Sequence, residues 1–245
     1  MSPLTIARPA FGLAIIALIA LSFGPPPRAE AAIIMVTNTN DSGPGSLRAA
    51  IDTATLGDSV MFAPAIHGET IELETPLIVD QQFEISGPPD DRMTLDGQGL
   101  THIMEIRFQG LTHDLNFING VGDQGGAVKV TANGANMYNI DVRDSQATLG
   151  GGIFVGDHAT LLLNNAVVEG NTASQNGGGM FVSDFAIVEF HFVDFLNNTA
   201  GINGGGASYG SSTMELFENT YRGNSAGQNG GGVYSTGNMA IRNGT

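Results

Sequence analysis

Short runs in which apolar and polar residues alternate recur along the chain, separated by clusters of Gly, Asn, Ser and Asp. One of these runs places its apolar residues at Ala135 and Met137, Leu161 and Leu163, Val188 and Phe190, and Met214 and Leu216. Alternation with a period of two indicates β-strands, and runs of about five residues are too short for helices. The pattern therefore predicts an all-β chain of short strands.

Two markers repeat every 26 to 27 residues through the same region. The first is a glycine cluster before a mostly apolar pair, and its last glycine falls at Gly126, Gly152, Gly179, Gly206 and Gly232. The second keeps step with the first and ends at Ser145, Asn171, Asn198 and Asn224. One repeat cannot bury its own apolar face, so successive copies must stack in parallel. Coils of this length with three short strands predict a right-handed parallel β-helix.

The repeat also predicts which residues form ladders from coil to coil. Inward positions should align as Ile153, Met180, Ala207 and Val233 on one sheet, and as Val168, Phe195 and Tyr221 on another. The asparagines of the second marker should stack at one turn, where a left-handed backbone is tolerated and each amide can bond to the next coil. The glycines suit a turn too tight for a Cβ atom. We therefore assign both rows a structural role and no chemistry.

Residues 1–31 are predicted to be a secretory signal peptide. Arg8 precedes an apolar run from Phe11 to Phe23, three prolines follow, and Ala29-Glu30-Ala31 forms a small-residue cleavage site. A membrane anchor is the alternative, but the run has thirteen residues, and a spanning helix needs roughly 20. Because no second apolar stretch has that length, we expect no transmembrane segment in the mature chain.

The remaining residues, 32–245, are predicted to form a single β-helix domain. Residues 32–116 would hold the N-terminal cap and irregular coils, with a short capping helix that starts after the N-cap Ser46 and covers the exposed first coil. Residues 117–245 would hold the regular repeats. Less than one coil follows Gly232, so we expect either a truncated chain or a last coil that self-associates with another subunit.

Composition and charge narrow the function classes. The chain of 245 residues has 9 Lys and Arg against 24 Asp and Glu, a formal net charge of −15, and no cysteine. The charge repels phosphate backbones, so we expect no nucleic-acid partner. Disulfide scaffolds and thiolate zinc sites are excluded. Since no nucleotide-binding or metal-binding motif is present, we also expect no cofactor.

Two pairs of acidic residues are candidates for chemistry on the outer face. Glu189 and Glu215 occupy equivalent outward positions one coil apart, near the separation of about 5 to 5.5 Å that retaining glycosidases use. Asp157 and Asp184 are equivalent turn residues that could supply oxygen ligands to Ca²⁺. The alternative is that all four are solvated acids or turn residues, because the sequence shows no basic partner beside either pair.

An aromatic row is the candidate binding surface. Phe154, Phe181 and Tyr234 follow the inward residue of successive glycine markers, with Ser208 interrupting the row, so alternation turns them outward. A partly exposed aromatic stripe can stack on sugar rings or anchor a protein. The alternative is that these rings only shield a neighbouring turn or strand.

The repeats resemble those of the polymorphic outer-membrane proteins, a family of bacterial surface adhesins. The likeness rests on an aromatic or aliphatic residue three positions before Asn, as in Phe195 with Asn198, and on a later Gly-Gly-apolar marker such as Gly205-Gly206-Ala207. It implies a secreted or outer-membrane-associated adhesin-like or structural binding scaffold, with a surface glycan or a host or neighbour-cell protein as partner. Polysaccharide lyases and glycoside hydrolases use the same scaffold, so catalysis on the outer face is the alternative function.

Overall fold

Three parallel sheets, called A, B and C, wind into a β-solenoid of about eight turns, the right-handed parallel β-helix predicted from the repeat. The structure, a computed structural model, describes residues 31–237 and 240–242, with side chains for 31–237. The predicted signal peptide, apart from Ala31, lies outside the described residues. Among the described residues, no helix is both long and apolar enough to cross a membrane.

Each sheet is a stack of strands contributed by successive coils. Sheet A holds Ile33–Val36, Ser59–Phe62, Thr70–Glu72, Glu84–Ser86, Met93–Asp96, Gly110–Ile118, Asn133–Arg143, Thr160–Glu169, Ile187–Leu196, Thr213–Phe217, Thr220–Arg222 and Ala240–Arg242. Sheet B holds Leu77–Val79, Met104–Ile106, Val128–Val130, Ile153–Val155, Met180–Val182, Ala207–Tyr209 and Val233–Ser235. Sheet C holds Val121–Gln124, Gln146–Leu149, Thr172–Asn176, Thr199–Ala200 and Ser225–Ala226.

The strand registers confirm both predicted inward ladders. In sheet B, Ile153 pairs with Met180, Met180 with Ala207, and Ala207 with Val233. In sheet A, Val168 pairs with Phe195 and Phe195 with Tyr221. Because the side chains of a strand alternate between faces, these ladders fill the interior with apolar groups over the length of the coil stack.

Sheet A strands are longer than the short strands expected, because each continues through a bend. One residue of each coil adopts a left-handed backbone at this bend: Asp114, Asn139, Asn165 and Phe192 in the middle of a strand, and Glu218 between the strands Thr213–Phe217 and Thr220–Arg222. In the early coils the same two halves are separate strands, such as Glu84–Ser86 and Met93–Asp96. The early coils also lack sheet C, whose first strand is Val121–Gln124.

A short helix covers the first coil, as predicted. It spans Leu47–Thr53, and the Ser46 hydroxyl accepts a hydrogen bond from the amide of Ala49, which satisfies one of the free amides at the helix start. Leu47 and Ile51 are buried in the core. A second, 3₁₀ helix spans Pro64–Ile66.

An internal asparagine ladder joins the later coils. Asn171 and Asn198 are fully buried, and the Asn171 amide nitrogens donate to Asn198 Oδ1 at 3.0 Å. Asn198 donates in turn to Asn224 Oδ1. The predicted stacking is confirmed, but the left-handed residue is the one before the asparagine, such as Gly170 or Asn197. The asparagine itself turns inward, where its side chain replaces the missing backbone partners of the tight turn.

A tyrosine pair lies in the last coils, with Tyr209 buried and Tyr221 half-buried against the core. The hydroxyls of Tyr209 and Tyr221 are 3.0 Å apart, and the Tyr221 ring stacks on Phe195 with a centroid separation of 4.9 Å. Burial raises the pKa of Tyr221 to about 12. Burial, together with the neighbouring Tyr221 hydroxyl, raises the pKa of Tyr209 well above its usual value.

We expect these two phenols to stay protonated in the folded protein at pH values where exposed tyrosines ionise. Because folding raises their pKa, their contribution to stability is complete below about pH 10, the ordinary tyrosine pKa, and is lost as the pH rises toward and past the raised values. A phenolate absorbance titration should show a late phase that coincides with unfolding. Tyr221→Phe should shrink this phase. Titration of all four tyrosines in a single step near pH 10, with the fold intact, would contradict the assignment.

Candidate functional site

The outer side of sheet A carries acidic and aromatic side chains on adjacent coils. Strand pairing sets Glu189 beside Glu215 and His191 beside Phe217, as the outward alternation predicted. Two turn residues, His158 and Phe185, precede the sheet A strands Thr160–Glu169 and Ile187–Leu196. The sheet A face is defined here as these residues with two exposed apolar neighbours, namely His158, Phe185, Ile187, Glu189, His191, Phe192, Glu215 and Phe217.

Glu189 has a basic partner, contrary to the expectation from sequence. Its Oε1 atom lies 2.7 Å from His191 Nε2, and the Glu189 side chain is 49% exposed. Residues two apart in a strand share a face, so the alternation places His191 on the same face as Glu189, and both side chains are long enough to meet. Glu215 is also exposed. The two carboxylates thus stand on an open surface, with one of them oriented by an imidazole.

Two aromatic stacks flank the carboxylates. His158 and Phe185 stack with ring centroids 5.3 Å apart and planes 10° apart. His191 and Phe217 stack at 4.6 Å and 11°. Phe185 precedes His191 by six positions, so the stacks are at most about 20 Å apart at roughly 3.3 Å per residue. Strand alternation places His191 and Phe217 in one outward row. It cannot predict the first stack, because His158 and Phe185 lie in turns where alternation carries no information.

The face leaves large apolar groups in solvent. Phe185 is 65% exposed, Phe192 is 54% exposed and Ile187 is 52% exposed. Phe185 and Phe192 also have left-handed backbones, with φ of 60° and 56°. For a bulky side chain this conformation is disfavoured by about 1–2 kcal/mol. The same left-handed backbone occurs at the equivalent positions His158 and Asn165 of the preceding coil, so it belongs to the turn and the bend of each coil. It is the exposure of the phenyl rings that makes them a candidate ligand contact.

The other acidic pair has a structural contact. Asp184 Oδ1 accepts a hydrogen bond of 2.6 Å from the backbone amide of Ser211, so this carboxylate holds the turn of the next coil. Asp157 occupies the equivalent turn and is exposed. Within the described part of the chain, no group of three or more His, Cys, Asp and Glu side chains has the arrangement to hold a metal ion. The proposed Ca²⁺ role of Asp157 and Asp184 stays a prediction.

The aromatic row on sheet B points outward but is not the exposed stripe expected. Phe154 pairs with Phe181, and Ser208 with Tyr234, in the predicted order. Phe154, however, is only 4% exposed. Its ring stacks on Phe181 at 5.8 Å, and the turn residue Gly156 lies against it. The expectation of exposure is wrong at Phe154, whose ring packs on Phe181 and beside the turn at Gly156, while Phe181 and Tyr234 are half-buried.

A second Glu–His–aromatic group on the same side of sheet A, in earlier coils, serves as a buried brace. His113 Nδ1 lies 2.6 Å from Asp114 Oδ2 and its Nε2 lies 3.0 Å from Glu84 Oε1, while Tyr138 stacks on the ring at 4.2 Å. The hydrogen bond from His113, followed by one from Ser59, lowers the pKa of Glu84. Both imidazole nitrogens are occupied and His113 is buried, so the imidazole stabilises coil contacts, and only Glu84 and Tyr138 reach the surface.

Comparison with known proteins adds no assignment for this surface. No protein-family model matches the chain, and no curated protein matches it in sequence. The resemblance to the polymorphic outer-membrane proteins therefore has no support at the level of repeat type, while the parallel β-solenoid is shown. Function must be argued from the surface chemistry.

Proposed function

We propose that the protein is a secreted or cell-surface, adhesin-like β-helix whose sheet A face binds a glycan. The observation that carries the proposal is the pair of aromatic stacks, His158 with Phe185 and His191 with Phe217, that flank two carboxylates on an open sheet. Aromatic faces stack on the apolar faces of sugar rings. Carboxylates accept hydrogen bonds from sugar hydroxyls. An open face suits a chain-like ligand better than an enclosed small molecule.

The charge of the protein indicates which glycans the face can take. The chain carries a formal net charge of −15, and Glu189 and Glu215 add two carboxylates at the face itself. A polyanionic glycan is repelled by this field. The ligand of the sheet A face is therefore a neutral glycan.

The proposed location rests on the sequence of the N-terminus and on composition. Residues 1–31 have the layout of a secretory signal peptide. The chain has no cysteine, so disulfide bonds do not stabilise it outside the cell, and the ladders of apolar residues and asparagine take that role. Association with an outer membrane belongs to this proposal and rests on the repeat resemblance alone.

One observation favours the alternative of a polysaccharide lyase or glycoside hydrolase. Glu189 is hydrogen-bonded to His191 and neighbours Glu215 one coil away, so an acid, a base and a second carboxylate occur together. Parallel strands about 4.8 Å apart bring such carboxyl groups near the spacing of retaining enzymes. Against catalysis, both glutamates are exposed, whereas catalytic carboxyls work best in a site that excludes water.

A panel of neutral and acidic polysaccharides, with and without Ca²⁺, tests the proposal by retention of the protein and by formation of new chain ends. We expect retention on at least one neutral polysaccharide without new ends. Phe185→Ala should weaken this retention about fivefold, since an aromatic stack contributes about 0.5–1.5 kcal/mol. Phe108→Ala is the matched control, because Phe108 is an exposed phenylalanine in the corresponding turn three coils earlier, and it should leave retention unchanged.

The same panel separates binding from catalysis. New reducing or unsaturated ends that Glu189→Gln or Glu215→Gln abolishes would establish the enzyme alternative. Retention that Phe185→Ala and Phe108→Ala reduce equally would contradict the assignment to the sheet A face. Absence of both retention and cleavage across the panel would contradict a glycan ligand and favour a protein partner.

A further inference from the structure

A cleft of about 590 Å³ lies at the point where sheet C begins, away from the residues of the sheet A face. Its lining consists of His102, Asp123, Gln124, Lys129, Thr148 and Leu149. Val121–Gln124 and Gln146–Leu149 are the first two strands of sheet C, and the preceding coil contributes an irregular segment with His102. The recess, called the step cleft, lies where the early coils, which lack sheet C, meet the first strand of that sheet. Its volume falls within the range of small-molecule sites.

His102, which lines the step cleft, has an unsatisfied polar atom. Among the described residues, His102 Nε2 is the buried side-chain nitrogen or oxygen that lacks a hydrogen-bond partner. Burial lowers the pKa of His102, and the charges of Lys129 and Arg107 act in the same direction, opposed by Glu105. The ring is therefore neutral at neutral pH, with one nitrogen a donor and the other an acceptor. A buried nitrogen without a partner costs free energy that a ligand hydroxyl can recover.

Lys129 supplies an ammonium group whose hydrogen-bond donors are not all used by Glu105. Glu105 pairs with Lys129 in the sheet B register, but Glu105 Oε2 already accepts a 2.8 Å hydrogen bond from Arg107. This bond and the two positive charges lower the pKa of Glu105, so the carboxylate stays ionised. Lys129 Nζ lies 3.9 Å from Glu105 Oε1, which is beyond hydrogen-bond distance. Its ammonium protons can thus turn to a ligand in the cleft.

We propose that the step cleft binds a hexuronate unit, with Lys129 facing the sugar carboxylate and His102 Nε2 bonded to a ring hydroxyl. Lys129 is the basic side chain in the lining and faces the same cleft as the carboxylate of Asp123, so a ligand carboxylate is expected on the Lys129 side, away from Asp123. Gln124 and Thr148 add donors and acceptors for hydroxyls. This site shares no residue with the sheet A face, and the proposal does not depend on the function proposed there.

Nuclear magnetic resonance of the imidazole nitrogens tests the proposal directly. The protein is titrated with glucuronate, with glucose, which lacks the carboxylate, and with acetate, which lacks the ring. A monosaccharide held by few contacts is expected to bind with a Kd on the order of 1 mM. We expect glucuronate to shift the His102 signal in a saturable way and to exceed glucose and acetate in affinity at least fivefold.

Variants assign the effect to the cleft. Lys129→Gln should weaken glucuronate binding at least fivefold and leave any weak glucose binding unchanged. Arg222→Gln is the control for net charge, because Arg222 is an exposed base on sheet A, and it should change neither. An unmoved His102 signal at about 50 mM glucuronate, far above the expected Kd, would overturn the proposal. So would equal effects of acetate and glucuronate, or equal losses in the two variants.

Discussion

Replacing Asn198 with alanine should destabilise the protein by about 4 kcal/mol, at roughly 1 kcal/mol for each net hydrogen bond lost. The Asn198 side chain makes four bonds in a fully buried position. Its Nδ2 donates to Val168 O and to Asn224 Oδ1, and its Oδ1 accepts from both nitrogens of Asn171. Alanine removes all four and leaves Val168 O and the Asn171 nitrogens without these partners, while Asn224 Oδ1 keeps the bond from the backbone amide of residue 198. Urea unfolding followed by circular dichroism measures the loss.

Two further variants isolate the ladder from a general effect of asparagine. Asn197→Gly changes the exposed neighbour, which has φ of 53° where adjacent coils have Gly170 and Gly223, so it should be close to neutral. Asn198→Ser should have an intermediate effect on the free energy of unfolding. Ser145 occupies the equivalent position at one end of the ladder, and its hydroxyl accepts a hydrogen bond from the Gly120 amide. Equal unfolding midpoints for Asn198→Ala and Asn197→Gly would show that the buried bonds contribute little.

The ladders could be predicted from sequence because stacking makes every coil repeat the same constraint. Few side chains can satisfy the backbone groups of a buried turn, so the turn is recognisable from the regular spacing of Asn171, Asn198 and Asn224. The residue that takes the left-handed backbone was misplaced by one position. Spacing fixes which residues align between coils, but it does not fix how a tight turn divides its dihedral angles among adjacent residues.

The surface was less predictable, because exposure depends on the turns beside each strand. Alternation correctly turned Phe154 and Glu189 outward, yet the first is buried and the second is open. The stack of His158 on Phe185 and the step cleft around His102 arise from irregular segments. Such segments carry no period, so the side chains they bring together cannot be paired from sequence.

Gly178→Ala should cost roughly 3 kcal/mol or more, at the upper end of what an added methyl group costs in a packed interior. A Cβ atom at Gly178 would lie 2.3 Å from the carbonyl oxygen of Gly205 and 2.5 Å from the carbonyl carbon of Thr199. Both are backbone atoms of the next coil, and strands in a stack keep a fixed spacing of about 4.8 Å. The methyl group can be accommodated only by parting two coils, so the unfolding midpoint in urea should fall sharply.

Gly156→Ala is the matched control, because a Cβ atom there meets its nearest neighbour, Val130 O, at 3.4 Å. Its effect should stay within about 1 kcal/mol, with the reduced freedom of the unfolded chain opposing any crowding. In a solenoid each coil contacts only its neighbours, so hydrogen exchange in Gly178→Ala should accelerate around Gly178 and Gly205 more than around the N-terminal helix. Uniform acceleration of exchange, or equal urea unfolding midpoints for the two variants, would mean that close contact between coils is not the reason why position 178 is glycine.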